Sequence, residues 1–76
     1  MKTQKQIVAA MTEWLSTQGL TVSERALVSN LRNEARKSIT GFQQVASALY
    51  HTMPSVFTGA ITKARAQGRC QEWTNA

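Results

Sequence analysis

The chain has 76 residues, of which 42% are hydrophobic, with four Gly, one Pro and no low-complexity stretch. A chain of this length forms one domain near the lower size limit for independent folding, and its composition excludes an extensively disordered protein. Nine Lys and Arg against four acidic residues give a formal net charge of +5, which favours association with nucleic acid or an acidic surface.

The first predicted helix lies between Thr3 and Gln18, where apolar residues recur at helical spacing, and Gly19 is its expected C-cap. Its apolar stripe consists of Ile7, Val8, Met11, Trp14 and Leu15. Because so small a core cannot easily bury this whole stripe, the surface around Met11 and Trp14 is the expected homodimer contact. The segment is too polar for a signal peptide and too short for a membrane span, so we expect a cytoplasmic protein without membrane contact.

A second helix is predicted from Thr21-Val22-Ser23-Glu24, which matches a capping box and places the helix start near Thr21 or Ser23. Its expected inner residues are Leu27, Val28, Leu31 and Ala35. The outer residues are mostly cationic, and they comprise Arg25, Arg32, Glu34, Arg36 and Lys37. The cations near the C-terminal end suit the helix dipole. Arg36 and Lys37 are candidate DNA-backbone contacts, although a merely solvated surface fits them equally well.

The next segment, Ser38 to Gly41, is a predicted connector in which Thr40 caps a third helix. The inner residues of this helix are Phe42, Val45, Ala46 and Leu49. We expect the helix to end at Tyr50 or His51.

A fourth helix is predicted from about Pro54 to Gln67 after a break at residues 51–53, because Pro fits a first helical turn and not a helix interior. Gly68 is expected to end it. One side of it is apolar, with Val56, Phe57, Ala60, Ile61 and Ala64, and the other carries Ser55, Thr58, Gly59, Thr62, Arg65 and Arg69. No strand pattern is present, so the sequence predicts an all-α, compact four-helix domain over residues 1–69 and a C-terminal tail over 70–76.

The segment from Phe42 to Arg69 resembles the bihelical unit of helix-turn-helix transcription regulators. The resemblance rests on Val45-Ala46, Ala48-Leu49, Pro54-Ser55, Val56 and Ala60-Ile61. It departs from the family pattern at Tyr50, where a small residue usually begins the turn, and in a turn one residue longer than usual. The resemblance implies that Pro54 to Gln67 is a recognition helix and that the protein binds double-stranded DNA as a dimer on a quasi-palindromic site.

The resemblance also assigns roles to the polar residues of the fourth helix. Ser55 and Thr58 are expected at base edges or phosphates, and Thr62, Lys63 and Arg65, with Arg69 beyond them, at phosphates or guanines. Glycine at position 59 would permit either a close approach to the DNA backbone or a helix–helix crossing that needs a small residue. The run from Ala35 to Gln71 contains five cations and no acidic residue, which agrees with a polyanionic partner.

Other functions find less support in the sequence. The chain has no Asp and one His, His51, so no base with an orienting partner can be assembled and an enzyme is not expected. No metal or cofactor motif is present; the lone Cys70 is interpreted as a passive thiol and Trp73 as packing back on the fold. The alternative to DNA binding is a small protein-interaction module or inhibitor that docks its basic helical surface on an acidic partner protein, with an exposed aromatic residue near the contact's centre.

Overall fold

The computed structural model describes residues 3–69, which form four α-helices. In chain order these are α1 (Gln4–Leu15), α2 (Val22–Lys37), α3 (Ile39–Thr52) and α4 (Pro54–Ala66). The prediction of an all-α, four-helix fold is confirmed, and α2 is the central element because it packs against each of the other three helices. No helix within residues 3–69 is both long and apolar enough to cross a membrane. The expectations for Cys70, Trp73 and the tail 70–76 lie outside the described residues.

The first two helices begin with the same capping arrangement. The Thr21 hydroxyl accepts a hydrogen bond from the Glu24 N–H at 3.1 Å, and the Glu24 carboxylate accepts one from the Thr21 N–H at 2.8 Å. This confirms the predicted capping box and the start of α2. Thr3 and Gln6 make the equivalent pair of bonds at the start of α1.

The predicted end of the first helix was three residues too late. The helix ends at Leu15 and not at Gln18, because Ser16 takes the C-cap position and its hydroxyl donates to the Glu13 carbonyl. Side-chain hydroxyls compete in this way with the helical hydrogen-bond ladder. Gly19 instead lies within the α1–α2 turn, where its φ of +85° reverses the chain.

The junction between α2 and α3 is shorter than the predicted connector from Ser38 to Gly41. Ser38 alone separates the two helices, in an extended conformation, and its hydroxyl accepts the Gly41 N–H at 2.9 Å. Ser38 is therefore the N-cap of α3, and the assignment of that role to Thr40 was wrong because Thr40 lies inside the first helical turn.

The junction between α3 and α4 is also tighter than predicted. Helix α3 continues through Thr52, so the expected break of three residues consists of Met53 alone, which leaves the helical conformation at φ −135° and ψ 56°. Pro54 occupies the first turn of α4 as predicted. A helix-turn-helix unit commonly has a turn of about 3–4 residues, so this junction departs from the pattern. The end of α4 agrees with the prediction, since Gly68 has a φ of +72° and donates to the Arg65 carbonyl at 3.0 Å.

The core brings together residues from all four helices. The buried apolar residues are Ile7, Met11, Trp14, Leu27, Val28, Leu31, Ala35, Phe42, Phe57, Ala60 and Ala64. The predicted inner residues of α2 are all buried. Of the predicted inner residues of α3 only Phe42 is buried, and Val45, Ala46 and Leu49 are partly buried against the core.

The interior of the core corrects one expectation about assembly. Met11 and Trp14 are both 0% exposed, and the Trp14 indole Nε1–H donates to the Ala60 carbonyl at 3.0 Å. The Phe57 ring meets the Trp14 ring edge-on, with centroids 6.0 Å apart. The prediction that Met11 and Trp14 form a dimer surface was therefore wrong, because a single chain buries both side chains completely.

Candidate functional site

The exposed side of α4 carries a continuous polar row, which we call the α4 stripe. Its members are Ser55, Thr58, Thr62, Arg65 and Arg69. From Ser55 to Arg65 successive members are three or four residues apart, which places them on one side of the helix, whereas Arg69 follows the end of the helix at Ala66 and the left-handed Gly68. The first four are exposed, and Arg69 is half-buried just beyond the C-cap. Neither α3 nor α4 contains an acidic residue.

The hydroxyls of the α4 stripe precede its cations along the helix. Thr62 Oγ1 donates to the Thr58 carbonyl at 2.8 Å, which fixes its rotamer and leaves its oxygen as an acceptor. Within residues 3–69 the side chains of Ser55 and Thr58 make no hydrogen bond, so both can donate and accept. From Ser55 to Arg65 the stripe spans ten residues, or about 15 Å of helix.

Lys63 lies outside this row, at the contact between α4 and α2. Its ammonium is 2.6 Å from Glu24 Oε1 and donates to the Gly19 carbonyl at 3.0 Å. The Lys63 side chain is 37% exposed, whereas that of Glu24 is 8% exposed. The structure therefore places this predicted DNA-contacting ammonium in an ion pair that ties α4 to the start of α2 and to the α1–α2 turn.

Glu24 has two hydrogen-bonding tasks, since it closes the capping box of α2 and pairs with Lys63. The hydrogen bond from Lys63, followed by the one from the Thr21 backbone N–H, lowers the pKa of the Glu24 carboxyl below its usual value. Gly59 makes room for this carboxylate, because a Cβ at Gly59 would lie 2.5 Å from Glu24 Oε2. Of the two interpretations of Gly59, the structure supports the helix–helix contact.

We expect the protein to lose stability in acid because the Glu24 carboxylate becomes protonated. Because the folded-state pKa of Glu24 is lowered, its contribution is fully present above the unfolded pKa of about 4.3 and is lost as the pH falls through the folded pKa. Urea unfolding at a series of pH values from 7 downward should show a smaller acid-dependent decrease for Glu24→Gln than for the native chain. Equal decreases in the two proteins would contradict this assignment.

The other predicted DNA contacts, Arg36 and Lys37, lie at the opposite end of α2 from the Lys63–Glu24 pair. Twelve residues separate Glu24 from Arg36, which corresponds to about 18 Å along the helix. Lys37 is 73% exposed and lies 3.6 Å from Glu34, an exposed pair of the kind that contributes little to stability. The structure thus divides the predicted site residues into the α4 stripe, the Lys63 ion pair and the C-terminal end of α2.

A second basic surface lies between α1 and α2 and combines three of the predicted outer cations of α2 with one cation of α1. We call it the α1–α2 groove and define its cations as Lys5, Arg25, Arg32 and Arg36. The three arginines are seven and four residues apart, which places them in one row along α2. Arg25 Nη1 donates to the Leu15 carbonyl at 3.2 Å, and Arg36 and Lys5 line a shallow depression of about 450 Å³. Its other lining residues are Gln4, Val8 and Ala9.

Two further observations bear on the chemistry available to the molecule. Among residues 3–69, no three His, Cys, Asp or Glu side chains converge to hold a metal ion. His51 is exposed in the last turn of α3, with its ring centroid 6.0 Å from that of Tyr50. Comparison of the chain with protein-family models, curated proteins and solved structures found no match.

Proposed function

We propose that this protein is a small double-stranded-DNA-binding regulator of the helix-turn-helix type, with α4 as its recognition helix. The observation that carries the proposal is the α4 stripe, whose helical members from Ser55 to Arg65 are all exposed and which combines hydroxyl and guanidinium groups. The major groove of B-DNA, about 12 Å wide, admits one α-helix, and hydroxyl and guanidinium groups are the ones that bind base edges and phosphates.

The division of the stripe into hydroxyls and cations suggests how α4 would bind. Ser55 and Thr58, near the N-terminal end of the helix, would contact base edges, as recognition helices do with their N-terminal residues. Arg65 and Arg69, at the other end, would contact phosphates or the O6 and N7 atoms of guanine. Lys63 would serve the interaction indirectly by holding α4 against Glu24 and the α1–α2 turn.

The anchoring of α4 supports its use as a rigid probe. Its inner side is fixed by Phe57, Ala60 and Ala64, which are buried, and by the hydrogen bond from Trp14 to the Ala60 carbonyl. Side chains presented by a fixed helix are positioned more accurately than those on loops. A regulator that reads a quasi-palindromic site would use two copies, with their α4 helices about one turn of DNA apart.

Replacing Thr58 with Glu is expected to weaken DNA binding by roughly 10- to 100-fold, because it places a carboxylate at the middle of a surface that faces phosphates and base edges. Thr58 is exposed, so the substitution should leave the fold intact. The native protein would first be used to select duplexes from a random double-stranded pool at near-physiological salt. Fluorescence anisotropy with a selected duplex would then give the dissociation constants.

The matched control is Gln43→Glu, which introduces the same charge at an exposed position of α3. This variant should bind the selected duplex within about twofold of the native protein, since a distant exposed charge is largely screened at this salt. Failure of the native protein to retain any duplex, or equal losses in the two variants, would refute α4 as the DNA-binding helix. Retention without an enriched motif would identify binding that is independent of sequence.

A further inference from the structure

We propose that the α1–α2 groove binds an acidic amphipathic helix of a partner protein. This surface is separate from the α4 stripe, because its residues come from α1 and α2 alone. The proposal does not depend on DNA binding, and it gives the molecule a second contact through which another protein could be recruited.

The charge of the groove selects an anionic occupant. Within residues 3–69, Lys5, Arg25, Arg32 and Arg36 have no ion pair with an acidic side chain. Glu13, the acidic residue of α1, follows Val8 by five residues and therefore points about 140° away from it around the helix. The groove thus presents cations on both of its sides, and no carboxylate lines its depression.

Of the groove arginines, one is restrained by a hydrogen bond and another has an unmet donor. Arg32 is half-buried, with its Nε covered and without a hydrogen-bond partner among the described residues. The hydrogen bond to the Leu15 carbonyl restrains the Arg25 guanidinium. Side chains that are already ordered lose less entropy on binding, and a guanidinium can bind a carboxylate through two parallel hydrogen bonds.

The lining of the depression favours a protein helix over a nucleic-acid backbone. Its surface is mostly apolar, with Val8 and Ala9 between the side chains of Gln4, Lys5 and Arg36. A phosphate backbone would leave these apolar groups without contacts, because protein–DNA interfaces are dominated by polar and charged groups. The depression is also too open to enclose a small molecule.

The dimensions of the groove match about three helical turns. Arg25 and Arg36 are eleven residues apart on α2, which corresponds to about 17 Å. A partner helix with Glu or Asp at intervals of three and four residues would present its carboxylates along the same length. An apolar residue on the adjoining side of that helix would fill the depression, as in other complexes of an amphipathic helix in a groove.

The test uses the full chain and a fluorescent synthetic helical peptide with one acidic row and one adjoining row of Leu and Ala. Anisotropy titration should show binding that Lys5→Glu/Arg36→Glu weakens at least roughly tenfold, since two attractive contacts become repulsive. The control Gln43→Glu/Gln44→Glu lowers the net charge by two through two exposed positions of α3, which is half of the four units that Lys5→Glu/Arg36→Glu removes. It should change the affinity less than about threefold. Far-UV circular dichroism would establish that both variants are folded.

Two further ligands make the result decisive. A peptide of the same composition, reordered so that it has no apolar side, should bind at least about tenfold more weakly because it cannot fill the depression. Lys5→Glu/Arg25→Glu, a groove variant that keeps the predicted DNA contact Arg36, should bind the duplex selected with the native protein about as well as the Gln43→Glu/Gln44→Glu control does. The proposal would be overturned if the amphipathic peptide did not bind, or if the reordered peptide bound equally well. It would also be overturned by a loss of duplex affinity confined to the groove variant, because that loss would make the groove a phosphate contact.

Discussion

Replacing Trp14 with Ala is expected to lower the free energy of unfolding by about 3–5 kcal/mol. The side chain is 0% exposed and packs edge-on against Phe57, so its removal leaves a large cavity between α1 and α4. A domain of this size has a total stability near the low end of about 5–15 kcal/mol. Urea titration followed by far-UV circular dichroism should therefore show a partly unfolded protein even without denaturant.

Trp14→Phe distinguishes the contribution of the ring volume to stability from that of the indole hydrogen bond. Phe fills much of the same space but cannot donate to the Ala60 carbonyl, which Trp14 reaches at 3.0 Å. We expect it to cost about 1–2 kcal/mol, clearly less than the Ala variant. A cost below about 1 kcal/mol for Trp14→Ala would contradict the packing described here, since large core residues cost several times more when truncated to Ala.

The number of helices and most of the core residues could be predicted from the sequence, because both depend on local apolar spacing. The capping box at Thr21 and Glu24 fixed the start of α2 to within one residue. The ends of the helices were less predictable. Ser16 and Ser38 each end a helix, the former with a hydroxyl bonded to a nearby backbone group, and apolar spacing carries no information about such bonds.

The candidate site depends on contacts between residues that are distant in the sequence. The polar row of α4 follows from spacing alone, whereas the partner of Lys63 is Glu24, 39 residues earlier in the chain. Sequence reasoning recognised the capping role of Glu24 but could not identify its second role. The sequence placed Arg25, Arg32 and Arg36 on the outer side of α2 without identifying them as one row. Their relation to Lys5 became apparent only with α1 placed alongside α2.

Gly59→Ala is expected to destabilise the fold by about 1–2 kcal/mol, although the same change at an ordinary helical position stabilises by up to about 1 kcal/mol. The new methyl group would lie 2.5 Å from Glu24 Oε2 if nothing moved. The carboxylate is the end of a flexible side chain and can move away. It can do so only by weakening the hydrogen bonds that its Oε1 accepts from Lys63 and from the Thr21 N–H, which for a charged group costs about 1.5–3 kcal/mol each when lost.

A double-mutant cycle with Glu24→Ala tests whether this carboxylate is the cause. Without the Glu24 side chain there is nothing for the new methyl group to displace, so Gly59→Ala should become stabilising by up to about 1 kcal/mol through helix propensity alone. The free energies of unfolding of the four proteins at pH 7, from urea titration, would give a coupling of roughly 1–3 kcal/mol between the two positions. A destabilising Gly59→Ala in both backgrounds would mean that something other than Glu24 requires glycine there. A stabilising effect in both would show that the carboxylate moves aside without loss and that the Lys63–Glu24 pair does not hold α4 in place.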